Sequence, residues 1–230
     1  VDWVLSSLAL VAATSWFGLH RDPPLSQPSA SRTGGANALL RNRRFLILIT
    51  ACGLIQAAHG FYYSFSTLVW RGQGISPEMV GLLWAFGVAV EVAFLWSLPF
   101  IERRSTPEGL ILIGAGAAVA RWVVMGFAPV GFVLWPLQAM HALSFAAAHV
   151  GAMRLLHRDA PEHSAAMAQT LYAVLSGGLF MGASTLVSGY LYDIGGAVGY
   201  WAMAALAAAG GALALLLLPP KTRVPSATPQ

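Results

Sequence analysis

Long apolar stretches separated by short polar ones dominate the chain. Each apolar stretch is close to the roughly 20 residues of helix that cross a bilayer. Seven such stretches occur, at residues 3–19, 45–69, 79–100, 109–127, 131–152, 165–192 and 198–218. They are rich in Gly, Ala and Leu and lack the strict apolar–polar alternation of a membrane barrel strand. The pattern therefore predicts an all-α membrane protein with seven transmembrane helices.

The composition supports a membrane location. Hydrophobic residues make up 57% of the chain, charged residues only 10%, and the mean hydropathy is +0.66. A soluble domain carries about 25% charged residues. The single cysteine, Cys52, excludes an internal disulfide framework. A multi-pass protein of the lipid bilayer is the class that remains.

Basic residues are distributed unevenly between the two sides of these helices. If segment 20–44 is cytoplasmic, 11 of the 13 Lys and Arg residues fall on cytoplasmic segments. Of the other two, Arg71 lies on an external segment and Arg121 lies within a membrane helix. This asymmetry predicts that linker 20–44 and tail 219–230 are cytoplasmic. The arginines are scattered over several loops and do not form one basic face, so no nucleic-acid partner is expected.

The spacing of the apolar stretches suggests that the chain is part of a larger transporter. Residues 20–44, HRDPPLSQPSASRTGGANALLRNRR, have the Pro, Ser and Gly content of a flexible linker. We expect residues 1–19 to be the last helix of a missing N-terminal bundle, and 20–44 to be the linker between bundles. Residues 45–218 would form a C-terminal six-helix bundle, followed by the tail 219–230.

Several polar side chains fall near the middle of these apolar stretches. A charged residue at the bilayer centre costs about 2.5–3.5 kcal/mol even on lenient scales, so it usually faces a cavity or partner and marks a substrate or ion path. Helical spacing places the polar residues on shared faces. The ten candidates for a substrate and proton pathway are Gln56, His59, Tyr63, Trp84, Glu91, Arg121, Trp122, Gln138, His141 and His149.

Plainer interpretations of these residues remain open. An intramembrane His or Gln can form a hydrogen bond between helices worth about 1 kcal/mol or less, and Glu91 with Arg121 can be a structural ion pair. His141 and His149 are eight residues apart, about 12 Å along a helix, so they cannot chelate one metal ion. The CxxCH, HExxH and nucleophile-elbow patterns are absent. We therefore expect no metal, no cofactor and no enzymatic activity.

Four segments resemble the C-terminal half of major facilitator superfamily transporters, most closely the phenylpropionate permease branch, a relative of lactose permeases and nucleoside–proton symporters. They are GFYYSFSTLVWRGQGISPEMVGLLWAFGVAVEV, RRSTPEGLILIGAGAAVARWVV, LQAMHALSFAAAHVGAM and AQTLYAVLSGGLFMGASTLVSGYLYDIGG. The resemblance implies that residues 45–218 form one bundle of a twelve-helix major facilitator fold. Its partner bundle, the missing N-terminal half, would rock against it in a bacterial inner membrane.

The resemblance also implies roles for individual residues. Lactose permeases use a Glu, an Arg and a His on successive helices for sugar binding and proton coupling, and Glu91, Arg121 and His141 occupy similar places. Those permeases carry a second glutamate three residues after the histidine, where this chain has Ser144. The proton carrier is therefore expected at Glu91 or His141. A change in the distance between Glu91 and Arg121 would decide whether Glu91 holds its proton.

The implied function is proton-coupled symport of a small organic solute by alternating access. For an aromatic acid of the phenylpropionate type, Arg121 would bind the carboxylate, and Tyr63, Trp84 and Trp122 would stack on the ring. A sugar or a nucleoside would use the same polar groups as hydrogen-bond partners. A membrane sensor or scaffold that keeps this fold without transporting anything is the alternative from another class.

Overall fold

A computed structural model describes residues 35–161 and 164–219, and the regular secondary structure of this part is helical throughout. Segment 1–19, linker residues 20–34 and tail residues 220–230 lie outside the described residues, so their helix and their cytoplasmic placement stay predictions. The α-helices are α1 (Gly35–Arg41), α2 (Arg43–Ala57), α3 (Gly60–Gly72), α4 (Pro77–Trp96), α5 (Leu98–Glu102), α6 (Pro107–Met125), α7 (Leu134–His141), α8 (Ala148–Asp159), α9 (Ala165–Tyr172), α10 (Met181–Gly195) and α11 (Gly199–Ala214).

Two π-helical segments connect consecutive α-helices without ending the helical path. Ala142–Ala147 joins α7 to α8, and Ala173–Phe180 joins α9 to α10. The wider turns of a π-helix are rare and occur frequently at functional sites. The first of them follows His141 directly and contains Ser144, so it lies next to the buried polar residues of α7.

Five helical stretches are long and apolar enough to cross a membrane: Arg43–Gly72, Pro77–Trp96, Pro107–Met125, Gly131–Asp159 and Ala165–Leu217. The first four correspond to the predicted helices 45–69, 79–100, 109–127 and 131–152. Helix α4 nevertheless ends at Trp96, before the predicted limit, and the short helix α5 follows it. These stretches confirm the all-helical membrane architecture.

The fifth stretch contains both predicted helices 165–192 and 198–218. Its 53 residues would measure about 80 Å if straight, more than twice the thickness of the hydrocarbon core. Gly196 interrupts it with a φ of 55°, a left-handed conformation that glycine adopts without strain. Beyond this turn, α11 packs against α2 and α6. The predicted total of seven transmembrane helices stays a prediction.

Two helices begin at a Ser-Pro or Thr-Pro pair, which is a typical start signal in a sequence. The Ser76 hydroxyl accepts from the Met79 amide at the start of α4, and the Thr106 hydroxyl accepts from the Gly109 amide at the start of α6. Each of these caps precedes a proline in the first turn, where the missing N–H costs no hydrogen bond. Short polar connections can therefore end one membrane helix and begin the next.

Ion pairs tie three helices together at one end of the bundle. Arg44 lies 2.8 Å from Asp159 and 3.6 Å from Glu108, and Arg158 also reaches Glu108 at 2.8 Å. These contacts link the start of α2, the start of α6 and the end of α8. Glu108 is buried, so its two arginine partners compensate the cost of removing its carboxylate from water.

The buried apolar side chains form two clusters with a polar layer between them. Leu48, Ile55 and Leu155 belong to one cluster, whereas Phe61 and Trp122 belong to the other. Several helices therefore pass from one apolar cluster to the other. The buried Gln56, Gln138 and His141 fall at these crossings, and Arg121 lies just beyond one, beside the second cluster. The candidate site therefore lies where the two clusters meet.

Candidate functional site

Five polar side chains from four helices form one continuous network in this layer. Glu91 Oε2 on α4 lies 3.2 Å from His141 Nε2 on α7, and His141 Nδ1 lies 3.1 Å from Arg121 Nη1 on α6. Arg121 Nη2 donates to Gln138 Oε1 at 2.7 Å. The hydroxyl of Tyr62 on α3 donates to the same oxygen at 3.0 Å. We call these five residues the polar network.

Local sequence explains how these side chains meet. Gln138 and His141 are three residues apart, so both project from one face of α7 toward α6. Helix α6 approaches the start of α8 closely because Gly114 has no side chain. A Cβ atom at Gly114 would lie 2.7 Å from the Ala148 Cβ. Helix α6 thus packs against the continuous helical path from α7 to α8, and the two partners of Arg121 lie on the α7 part of that path.

Arg121 is completely buried, yet none of the described carboxylates lies within 4.0 Å of its guanidinium. Its Cζ atom lies 4.3 Å from the ring centroid of Tyr62 and 4.5 Å from that of Trp122, which is favourable for a cation. The Glu91–Arg121 contact considered from the sequence is therefore indirect, because His141 lies between the two. A buried cation without a direct anionic partner is costly unless a ligand supplies one.

The contact with Arg121 fixes the hydrogen positions on His141. A guanidinium only donates hydrogen bonds, so His141 Nδ1 must accept from Arg121 Nη1. The hydrogen of the neutral imidazole then lies on Nε2 and points to the Glu91 carboxylate. In this arrangement His141 transmits polarisation between Glu91 and Arg121, and it cannot gain a second proton until Arg121 moves away.

His59 and Ser144 form a second polar pair beside the network. His59 is fully buried at the break between α2 and α3, and its Nε2 atom lies 3.1 Å from the Ser144 hydroxyl. Its Nδ1 atom lies 3.2 Å from the carbonyl oxygens of Ile55 and Gln56. The His59 and His141 ring centroids are 5.6 Å apart, so both histidines belong to the same polar layer.

The predicted aromatic residues divide into exposed and buried ones. Tyr63 is 40% exposed and stacks on half-buried Trp84, with ring centroids 6.2 Å apart. Trp122 is fully buried and stacks on Tyr200 at 5.6 Å, so it lies inside the bundle. Phe145, which is not one of the ten candidates, is half-buried and stacks on His141 at 5.3 Å. Tyr63, Trp84 and Phe145 are thus the rings on the accessible side of the layer.

Gln56 and His149 are two further candidates from the sequence that lie outside the polar network. The Gln56 amide donates to the Phe145 carbonyl at 3.3 Å, a backbone oxygen in the first π-helical segment. His149 is exposed, and its Nδ1 atom lies 3.5 Å from the Tyr172 hydroxyl. Gln56 therefore supports the irregular backbone beneath the site, whereas His149 lies farther along α8.

Tyr62 contributes to the site although the sequence pattern does not single it out. The spacing of Gln56 and His59 singled out Tyr63, but Tyr62 lies three residues after His59 and fits helical spacing equally well. The structure joins Tyr62, and not Tyr63, to Gln138 and Arg121. The signal in the sequence is a pair of adjacent tyrosines at membrane depth. Because the helix breaks between α2 and α3, helical spacing does not decide which of the two tyrosines faces the site.

Several buried donors around Arg121 have no hydrogen-bond partner among the described residues. They are Arg121 Nε, Gln138 Nε2 and Trp122 Nε1. An unpaired buried donor costs about 1–3 kcal/mol. An excess of donors beside a buried guanidinium suits a ligand rich in acceptors, and a carboxylate is the simplest ligand of that kind.

Comparison with known proteins provides independent information. The sequence matches the MFS_1-like family over residues 3–203. A probable 3-phenylpropionic acid transporter of Escherichia coli (strain K12) is 33% identical over 230 residues, 97% of this chain and 58% of that protein. Maltose permease of Geobacillus stearothermophilus is 26% identical over 220 residues, 94% of this chain and 55% of the permease.

A third relative is the uncharacterized transporter YwbF of Bacillus subtilis (strain 168). It is 24% identical over 160 residues, 69% of this chain and 40% of that protein. The chain thus spans about half the length of the curated relatives that it matches.

Proposed function

The chain belongs to the MFS_1-like family, and from this premise we propose that it forms part of a bacterial membrane transporter that moves a small organic acid together with a proton. Family membership and the names of the relatives favour transport over catalysis. The substrate class is inferred from Arg121, which is a fully buried cation that contacts neutral acceptors and aromatic rings.

An aromatic acid fits the chemistry of this layer. Its carboxylate would accept from the unpaired donors beside Arg121 and give the guanidinium a direct anionic partner. Tyr63, Trp84 and Phe145 lie on the accessible side, where their faces can contact an aromatic ring. The relative named for 3-phenylpropionic acid supports this substrate class.

Charge balance supplies the reason for proton coupling. In the empty site, the positive charge of Arg121 and the negative charge of Glu91 cancel across His141. A bound acid adds a second negative charge. Separating an uncompensated charge from water is expensive, so a proton taken up in the same polar layer would accompany the acid. Acid and proton then cross together and leave together.

Alternating access requires a second bundle facing this one. We propose that residues 45–218 form one bundle and that residues 1–19 belong to the other, with 20–44 as the linker between them. In this arrangement the polar network lies at mid-depth, where many transporters of inverted-repeat architecture bind their substrates. Linker and tail would lie in the cytoplasm, as the basic residues suggest.

A sugar is the second candidate substrate. One relative is a maltose permease, and Glu91, Gln138 and Tyr62 are suitable partners for hydroxyl groups. A sugar would leave Arg121 without an anion, however, which is why the acid is preferred. A sensor or scaffold with the same fold would need none of these side chains for activity.

The proposal is tested by uptake into vesicles that contain the full-length polypeptide, under an inward proton gradient. The panel contains 3-phenylpropionate, its uncharged amide, maltose and a nucleoside. We expect 3-phenylpropionate alone to accumulate in a saturable manner, because only its carboxylate pairs with Arg121. Protein-free vesicles correct for acid that crosses the lipid unaided.

Accumulation of maltose or the nucleoside, with no competition by the acid, would contradict the acid assignment. Failure to transport any of the four compounds by folded protein would instead favour a sensor or scaffold. Efficient uptake of the amide would show that the carboxylate is not what the site recognises.

A further inference from the structure

His59 and Ser144 have a geometry that the proposed function does not yet use. The two carbonyl oxygens near His59 Nδ1 only accept hydrogen bonds, so this nitrogen carries a hydrogen. In the neutral ring, Nε2 then has a free lone pair and accepts from the Ser144 hydroxyl at 3.1 Å. The surroundings of His59 thus select one tautomer of the neutral side chain.

The same surroundings also accommodate a protonated His59. A proton on Nε2 would reverse the contact with Ser144, because a hydroxyl both donates and accepts. The Ser144 hydrogen can then turn to the carbonyl oxygen of His141, which lies 3.4 Å from Oγ. Both charge states of His59 therefore keep hydrogen-bond partners, and only a hydroxyl hydrogen rotates.

His141 lacks this freedom. Its Nδ1 atom faces Arg121 Nη1 at 3.1 Å, so a second ring hydrogen would point at a donor that already carries a positive charge. Protonation of His141 requires Arg121 to withdraw, whereas protonation of His59 requires no such movement. The two histidines of the layer therefore differ in their capacity to bind a proton.

The burial of His59 and the charges around it together determine when that proton is bound. The ionisable groups around it include Arg121 on α6, His141 on α7 and Tyr63 on α3, while Glu91 on α4 acts through His141. Without substrate, the positive charge of Arg121 opposes a second cation. An acid held at Arg121 removes this repulsion and leaves the site with one excess negative charge, which a proton on His59 neutralises.

We propose that His59 holds the coupled proton while an acid is bound at Arg121, and that Ser144 stabilises the charged ring. This inference rests on the proposed function. The proton comes from water on the side where the acid enters, binds the lone pair of Nε2, and returns to water when the acid leaves. No other covalent bond changes, and Glu91 stays ionised to balance Arg121.

The direct test is nuclear magnetic resonance of full-length protein in membranes, isotopically labelled at the histidine ring nitrogens. We expect 3-phenylpropionate to convert one histidine from the neutral Nδ1–H form to the doubly protonated form. The signal that changes should be absent from the His59→Gln protein. In Ser144→Ala protein the change should require more acidic conditions, because the charged ring loses its acceptor.

Transport provides the second readout. His59→Gln should lower gradient-driven accumulation of 3-phenylpropionate toward equilibrium, while exchange across the membrane should fall less because it needs no net proton movement. Ser188→Ala is the matched control for Ser144→Ala. It also removes a buried hydroxyl, but one that bonds only the Ser184 carbonyl of its own helix.

A neutral His59 in protein that binds and transports the acid would overturn this inference and leave the proposed function intact. Normal accumulation by His59→Gln protein would overturn it in the same way. If 3-phenylpropionate neither binds nor is transported, both the proposed function and this inference fail.

Discussion

Glu91→Gln is expected to abolish accumulation of the acid against a gradient while exchange across the membrane continues. The amide has nearly the same shape as the carboxylate, so its oxygen can still accept from His141 Nε2. In the natural protein this nitrogen lies 3.2 Å from Glu91 Oε2. It carries no charge, however, so a bound acid is already balanced by Arg121 and recruits no proton. A pH gradient of one unit supports about tenfold accumulation in a coupled carrier, and this ratio should fall to about one.

The measurement is uptake and exchange in vesicles, normalised to folded protein. Glu102→Gln is the matched control, because Glu102 lies in α5, is exposed and reaches Arg154 only at 3.9 Å. It should accumulate the acid normally. If Glu91→Gln protein accumulates as well as the control, Glu91 has no part in coupling and the histidines alone must supply it.

Arg121→Ala is expected to impair accumulation and exchange alike. The change removes the proposed anchor of the carboxylate, leaves His141 Nδ1 without its donor and leaves Gln138 Oε1 with the Tyr62 hydroxyl as its donor. Loss of about 3 kcal/mol of charge-assisted hydrogen bonding corresponds to a fall of about 100-fold in transport efficiency. Some loss of thermal stability should accompany it, since Glu91 then lacks its counter-charge.

Arg121→Lys separates charge from geometry. Lysine keeps the positive charge but cannot donate to two partners through a planar fork. Its transport should therefore lie between that of the natural protein and that of Arg121→Ala. A purely structural role for Arg121 would instead lower the yield or stability of both variants, while the folded protein that remains would transport normally.

Much of the architecture could be predicted because bilayer thickness imposes a strong constraint on sequence. The stretches 45–69, 109–127 and 131–152 stand out as helices since each nearly matches the length needed to cross the hydrocarbon core. Ser76 and Thr106, each followed by a proline, are typical of helix starts, and both cap a helix in the structure. The sequence also separates the stretches 165–192 and 198–218, and the structure places a glycine turn at Gly196, within the gap between them.

The chemistry of the site was only partly accessible from sequence. A charged residue at membrane depth is conspicuous, so Glu91 and Arg121 were candidates on energetic grounds alone. Their relation was not predictable, because the position of His141 between them depends on how α4, α6 and α7 pack. The hydrogen bond between His59 and Ser144 likewise depends on the break between α2 and α3, which no local sequence motif predicts.

Parallel measurement of proton and acid fluxes tests the central claim most directly. Vesicles containing the full-length protein receive 3-phenylpropionate without an imposed gradient, while entry of acid and internal pH are followed together. Vesicles with Arg121→Ala protein correct for acid that carries its own proton through the lipid. The account predicts that the saturable flux moves one proton with each acid molecule. A saturable acid flux that leaves the internal pH unchanged would contradict it.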